Sequence, residues 1–517
     1  MVFGLPVGRR PLFNQDEARF ALLAREGAEH GHWVLPRVRD VIYMNKPPLY
    51  FWTVAVLALP FGVVDETTAP VASVVSALLT LLAVVAIGRR LWRVEIGLGA
   101  GMVLASAPFF YFMSHQVVSD MMLTAWLAWA LYFLLSARIS PVPRRPLIAF
   151  YLCLAGALAT KGPAALMGLA AALAVVLVED GRRGLRWLRL PLGVGILAVS
   201  TLPWLLPYLL QTERSYVGNV VAMQYGQWYF REKRHSRIIQ LLDNLGRGLP
   251  WTLFLGAGFW WWWHDSDPRR RALLVWTVVI AVAVSFSGEQ RARYFLPALP
   301  PLAVLIAELL VRAPQSETPR ARRLILASYA LLLLAAATVL ALLLGSTAAA
   351  GMRAADSFVP AAGWQTWVTG LLLVGGLVAA VVVIGRGGSG LTALTVLSIA
   401  LGGILLVEGW GYPMRYAEQT NIRGFTAAMA ARLPTQGRVL AYPDAVLSYD
   451  FYLRRPVREL SGPAELADVL DRPRPGDVLL MREAGWAAVR PQAEGRWQVL
   501  LADRVGRDRV LLLAPRS

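Results

Sequence analysis

Apolar runs long enough to cross or nearly cross a bilayer recur along most of this 517-residue chain, and no other feature limits its possible folds so sharply. Leu78–Ile87, Ile148–Ala159, Val194–Leu206 and Ala327–Leu344 are examples. In hydrocarbon every peptide N–H and C=O must find its partner inside the protein, so such runs are read as helices. About 20 apolar residues suffice to cross a hydrocarbon core of about 30 Å. Composition agrees: 56% of residues are hydrophobic and 16% charged, where soluble domains carry roughly a quarter charged. The runs divide into about twelve spans, near 71–91, 95–113, 120–136, 146–160, 162–178, 190–208, 247–265, 272–287, 294–312, 324–345, 364–385 and 391–410. The fold class expected is an α-helical polytopic membrane protein.

Charge placement orients these spans. The formal net charge of +18 would suggest nucleic acid in a soluble protein, but no basic stripe interleaved with aromatics is present. Instead eighteen arginines, from Arg89 to Arg386, fall in alternate loops, which the positive-inside rule makes cytoplasmic. The other loops, the segment before residue 71 and everything after 410 then face outward. Pro47–Val64 reads either as a marginal span or as a helix lying at the outer interface. Pro47 and Pro48 at its start, with Tyr50 and Trp52 suited to headgroup depth, favour the second. Met1–Val7 is too short for a cleavable signal, so a first span is expected upstream. Cys153 is the sole cysteine, which excludes a disulfide framework or a cysteine-based zinc cluster.

Residues 1–410 are therefore expected to form the transmembrane domain, with a first outward loop over 8–70. Residues 411–517 differ in kind. Short apolar runs at Arg438–Tyr442, Asp477–Met481, Trp497–Ala502 and Val510–Leu513 predict strands, Pro463–Leu470 predicts a helix, and Pro/Gly turns separate them. This is a small outward-facing α/β domain, read as a capping or acceptor-docking module. No internal repeat is evident.

Several outward-facing groups have chemistry to offer. Asp16 and Glu17 open an amphipathic helix over 17–30, where they serve either as helix N-terminal charges or as a general base at the membrane surface. Asp120 begins the 120–136 span, as a helix cap or as a second functional carboxylate on the same side. Only three of the 51 basic residues are lysines, Lys46, Lys161 and Lys233, and all lie in outward loops. A compact ammonium at a membrane edge suits a phosphate. Arg291 and Arg293 sit in an outward turn against the general charge bias, which suggests an anionic ligand or a carboxylate partner. The loop 209–246 mixes Trp228, Tyr229, Arg231, Lys233, Arg234 and His235, a composition that suits headgroup contact.

Taken in order, these residues resemble the GT-C membrane glycosyltransferases, specifically the branch holding bacterial aminoarabinose transferases and protein O-mannosyltransferases. The pattern runs Asp16-Glu17, Lys46-Pro47-Pro48, Asp120, Lys161-Gly162-Pro163, His235, Pro250-Trp251, and Arg291-x-x-Tyr294-x-x-Pro297. The resemblance covers residues 10 to about 310. It implies the GT-C fold of about thirteen spans with an outer C-terminal domain. It implies an inverting transfer of sugar from an undecaprenyl- or dolichyl-phosphate donor to a lipid, glycan or protein acceptor, at the periplasmic face of the inner membrane. Asp16 would be the catalytic carboxylate, with Glu17 beside it and Asp120 as a further one. Lys46, Arg291 and Lys161 would hold the leaving phosphate, Tyr294 would line the site, and Arg293 and His235 would contact substrate. Where aminoarabinose transferases have a metal-associated Glu before the Lys-Pro-Pro lysine, this chain has Asn45, a poorer ligand. No cofactor is expected to be required, and His235 and Asn45 are the candidates should a divalent metal bind. The competing readings are a lipid or solute transporter and a non-catalytic family member. A transporter would show ionisable groups near mid-span and an inverted repeat.

Overall fold

The computed structural model describes residues 2–4, 6–39, 41–43, 45–140, 142–211, 237–264, 267–285, 291–316, 318–350, 364–443 and 446–516. The chain divides into two compact units rather than at a single cut near residue 410. One comprises Met1–Leu5, Met44–Tyr50 and Ala72–Gly409; the other comprises Pro6–Tyr43, Phe51–Val71 and Trp410–Ser517. Most of the 8–70 stretch thus groups with the C-terminal residues.

The first unit is helical. Each of the twelve runs meets helix, although several are broken. The second run is two helices, Val94–Ala105 and Pro108–Met113, separated at Ser106-Ala107 with Pro108 in the first helical position. The fifth belongs to the Leu166–Leu188 helix, interrupted where Gly181 adopts φ +63°. Among the described residues, eight helical stretches are long and apolar enough by themselves to cross a membrane, counting Arg144–Leu188 as one. The Val71–Leu91 and Val94–Ala105 helices meet closely at Gly88 and Gly97. A Cβ on Gly88 would stand 2.7 Å from the Gly97 Cα, so hydrogen is the only substituent that fits. The Leu299–Arg312 helix lies at the centre of this unit and is buried from Leu299 to Val311, as expected for a helix apolar on almost every side.

The second unit is built on a five-stranded sheet of order β4-β3-β5-β7-β6, comprising β3 (Val439–Tyr442), β4 (Val457–Glu459), β5 (Val478–Arg482), β6 (Trp497–Val505) and β7 (Asp508–Pro515). β3 is parallel to β4 and β5, whereas β7 is antiparallel to β5 and β6. Side chains alternate across it with period two. Val439, Ala441, Val478, Leu480, Val510 and Leu512 join the core under the Ile422–Ala430 and Leu447–Leu453 helices. Leu440, Leu479, Met481, Leu511 and Leu513 join the opposite core, under Pro463–Asp471 and Glu483–Ala493. The four expected strands and the expected helix are present. β4 was not foreseen, because three residues are too few to show a periodicity. An N-terminal hairpin of β1 (Arg37–Val38) and β2 (Val41–Ile42) and the helix Gln15–His30 also belong to this unit.

Candidate active site

The helix Gln15–His30 starts where its sequence says it should. The Asn14 side chain accepts from the Asp16 N–H at 2.9 Å, and Gly31 at φ +75° ends the helix with its N–H on the Glu26 and Gly27 carbonyls. Two adjacent carboxylates in the first turn then acquire different surroundings. Asp16 accepts from Arg19 at 2.8 Å, one turn on. Glu17 is 1% exposed and is held by both terminal nitrogens of Arg10, one of them at 2.9 Å. Burial opposes the Arg10 charge, but Glu17 outweighs it and raises the guanidinium above its ordinary value. Glu17 is thus already committed to a buried ion pair.

The seven-residue helix Leu447–Leu453 ties several separate stretches of the same unit together. Ser448 Oγ donates to the Phe13 carbonyl at 3.0 Å, and the Tyr452 hydroxyl accepts from the Leu12 N–H at 2.8 Å. The hydroxyl in turn donates to Glu66, which also pairs with Arg423. Asp450 takes a two-pronged contact from Arg39, at 2.9 and 2.6 Å, and accepts from the Val457 N–H. Arg25 donates to the Phe451 carbonyl at 3.1 Å, with its guanidinium 4.5 Å from that ring, and burial pulls it down to about 10. Residues 12 and 13 lead directly into Asp16, so this short helix fixes the approach to the proposed base. Sequence analysis did not single it out: its partners lie some 380 to 440 positions away.

In the first unit, Asp120 opens the helix Asp120–Ile139 and is 3% exposed. Its carboxylate accepts from the Lys161 ammonium and lies 3.2 Å from Arg293 Nε. Lys161 ends the helix Arg144–Lys161, is 7% exposed, and stands 4.2 Å from the centre of the Tyr294 ring. Arg291 precedes a 3-10 turn, Ala292–Ala298, in which Tyr294 N–H bonds back to the Arg291 carbonyl at 3.0 Å. Residues three apart eclipse in such a turn, which gives a physical basis for the Arg-x-x-Tyr-x-x-Pro spacing. The structure therefore gathers Asp120, Lys161, Arg293 and Tyr294 into one largely buried cluster that mixes a carboxylate with cations. Asp120 is engaged by cations, so its position at a helix start is not simply a cap. Lys46 and Asn45 lie half-buried in the turn before Pro47, and Arg291 is half-buried. His235 and its aromatic-basic neighbours fall outside the described residues.

The same unit holds a charge that the sequence reading passed over. Glu308, inside the central helix, is 0% exposed and takes hydrogen bonds from Arg270 at 2.6 Å and Arg312 at 3.0 Å. One glutamate in a long apolar run carried little signal, and its arginines had been assigned to orientation. Among the described residues no three His, Cys, Asp or Glu side chains gather as metal ligands. Asn45 offers a neutral carbonyl oxygen, and the other candidate ligand, His235, lies outside the described residues.

Comparisons with known proteins place this geometry. Residues 45–208, which include Lys46, Asp120 and Lys161, match the family model of dolichyl-phosphate-mannose-protein mannosyltransferases. The undecaprenyl phosphate-alpha-4-amino-4-deoxy-L-arabinose arabinosyl transferase of Erwinia tasmaniensis is 26% identical over 342 residues, 63% of this chain and 61% of that protein. The Shewanella sediminis enzyme of the same name is 29% identical over 337 residues, 60% of this chain and 58% of that one. The chain thus spans about three fifths of the length of the curated relatives it matches. The crystal structure of ArnT from Cupriavidus metallidurans bound to undecaprenyl phosphate superimposes with TM-score 0.79 at 22% identity, over 99% of this chain and 96% of that one. The apo form of that protein gives 0.77 at 21% identity. The fold is the GT-C fold, in a multi-pass membrane protein, and the resemblance read from the motifs holds.

Proposed function

We propose that this chain is an inverting glycosyltransferase that moves a sugar from a polyprenyl-phosphate donor to an acceptor at the outer face of the bacterial inner membrane. The observation that carries the reading is the buried Asp120–Lys161–Arg293 cluster beside Tyr294. Its ammonium and guanidinium groups suit a phosphate ester, and the fold is shared with a protein crystallised with undecaprenyl phosphate. As the sugar C1–O bond to phosphate breaks, the electron pair stays on the phosphate oxygen. Lys46, Arg291, Arg293 and Lys161 stabilise that charge more in the transition state than in the donor. The acceptor oxygen attacks C1 from the opposite face and its proton passes to Asp16. Glu17 is a positioning residue that acts through Arg10, and Asp120 holds two of the cations in place. His235 is assigned to donor contact from the motif alone. The C-terminal α/β domain, residues 411–517 in this reading, supports the segment carrying Asp16, and the group transferred is a hexosyl or pentosyl sugar.

Lys46→Ala tests this reading. Losing a charge-assisted contact to phosphate costs about 1.5–3 kcal/mol, so donor turnover by the purified protein should fall roughly ten- to a hundredfold. Lys46→Arg should restore it only in part, because a planar fork does not occupy the same point. Unchanged donor affinity in Lys46→Ala would return this lysine to a headgroup-facing role.

A further inference from the structure

Several buried hydroxyls on the membrane helices close on their own helix. Ser76 donates to the Ala72 carbonyl at 2.7 Å, Thr80 to the Ser76 carbonyl at 2.8 Å, and Thr124 to the Asp120 carbonyl at 2.8 Å. Each contact runs four residues back along one helix. Ser73, one turn before Ser76 and 0% exposed, behaves differently. It stands in the first turn of Val71–Leu91, so the residue four back, Ala69, lies ahead of the helix. Its Oγ donates instead to the Gln116 carbonyl at 2.6 Å and lies 2.8 Å from the Tyr50 hydroxyl. A hydroxyl has one proton to give. With Ser73 donating to Gln116, the Tyr50 hydroxyl is the donor to Ser73. Three stretches of the first unit are joined in this way, at Tyr50, Ser73 and Gln116.

Both ends of the link lead to groups of the proposed site. Tyr50 is buried and is the second residue of the helix Leu49–Ala58. Pro47, Pro48 and Leu49 separate it from Lys46. The two prolines have φ fixed, so the turn carrying Lys46 is a stiff extension of that helix. At the other end, Gln116 belongs to the connection between Pro108–Met113 and Asp120–Ile139, where Val117, Val118 and Ser119 are buried. Buried backbone outside regular structure must have its polar groups matched one by one. The Gln116 carbonyl accepts from the Val118 N–H at 2.9 Å as well as from Ser73, and the Ser119 carbonyl accepts from the Leu123 N–H at 3.0 Å as the Asp120 helix begins. Ser73 thus stands between the arm that carries Lys46 and the segment that sets Asp120.

We infer that Ser73 is a positioning residue for the proposed transfer: through Tyr50 and the Gln116 carbonyl it holds Lys46 in register with the Asp120–Lys161 cluster. The inference rests on the reading of Lys46 as a phosphate ligand. A phosphate held by groups from different stretches of chain gains fully from each only when their relative placement is fixed beforehand. Removing the Ser73 hydroxyl leaves the Gln116 carbonyl with the Val118 N–H, so the connection stays folded while its link to Tyr50 is cut.

The test is binding of undecaprenyl phosphate to the purified full chain in detergent, with thermal unfolding to establish that each variant is folded. Ser73→Ala should weaken binding about three- to tenfold. Tyr50→Phe breaks the same link from its other end and should cost about the same, and the two together should cost no more than either. Ser76→Ala removes a hydroxyl that bonds only along its own helix in this respect, to Ala72, and should leave binding unchanged. In a Lys46→Ala background Ser73→Ala should add less than about twofold, because its effect passes through Lys46; a general loosening of the fold would cost the same in both backgrounds. If Ser73→Ala does not fold, Tyr50→Phe combined with Lys46→Ala supplies the same comparison. Wild-type affinity in Ser73→Ala and Tyr50→Phe, an equal loss in Ser76→Ala, or an undiminished loss in the Lys46→Ala background would overturn the positioning role and leave the proposed function standing. A wild-type chain that does not bind undecaprenyl phosphate, or Lys46→Ala binding it as tightly as the wild type, would overturn the reading of Lys46 and this inference with it.

Discussion

Asp120 separates two mechanisms, and its surroundings let the difference be estimated. The carboxylate is buried and faces the Lys161 ammonium and Arg293, at 3.2 Å from the latter. Asp120→Asn leaves the buried Lys161 ammonium, with Arg293 beside it, facing a neutral amide. Removing one partner of a buried ion pair costs about 3–5 kcal/mol, most of it the desolvation of the charge left behind. Lys161→Met instead leaves Asp120 with Arg293, so its cost should lie near about 1–3 kcal/mol. If the two residues act as a pair, Asp120→Asn combined with Lys161→Met should recover about 1–3 kcal/mol relative to the sum of the singles. Thermal unfolding of the four proteins in one detergent supplies the cycle. Donor titration supplies the functional half: a positioning role predicts weaker donor binding in Asp120→Asn, whereas a general base predicts lower kcat at unchanged KM. Additive stability losses together with unchanged donor affinity would refute the clamp.

Other outcomes follow from the second unit. Glu17→Gln takes the carboxylate out of the buried Arg10 ion pair, so it should lower stability by about 3–5 kcal/mol, readable as an apparent Tm shift; Arg10→Met with Glu17→Gln should recover much of it. Tyr452→Phe removes the hydroxyl between the Leu12 N–H and Glu66 and should cost about 1–3 kcal/mol. Limited proteolysis should then open the chain ahead of Asp16, and unchanged protection there would show that the Leu447–Leu453 helix does not hold this approach.

What was legible in the sequence follows from how far each signal reaches along the chain. A span announces itself through consecutive residues, so the runs at 71–91 or 364–385 needed no tertiary knowledge. The strands β3, β5, β6 and β7 showed for the same local reason. The sequence singled out Asp120, Lys161, Arg293 and Tyr294 one motif at a time, and they meet although they come from three separate stretches of chain. What stayed hidden depends on distant contacts. Nothing near residue 450 marks Asp450 as the partner of Arg39, and nothing near residue 17 distinguishes the buried Glu17 from its neighbour. Glu308 was invisible because its meaning lies in Arg270, 38 positions away. The grouping of 6–43 and 51–71 with the C-terminal residues was missed because it follows folded contacts rather than composition.

The central claim is transfer from a polyprenyl-phosphate sugar with Asp16 as base, and Asp16→Asn probes it most directly. The substitution keeps the side chain's shape, so folding and donor binding should persist. The purified variant, given the donor and a hydroxyl acceptor, is followed by release of polyprenyl phosphate and formation of glycosylated product. Turnover should fall about a hundredfold or more, the scale of a lost general base, with donor KM little changed. A phosphate acceptor arrives already deprotonated, so with such an acceptor the loss should be much smaller. Near-wild-type turnover with a hydroxyl acceptor would remove Asp16 from the chemistry and contradict the account.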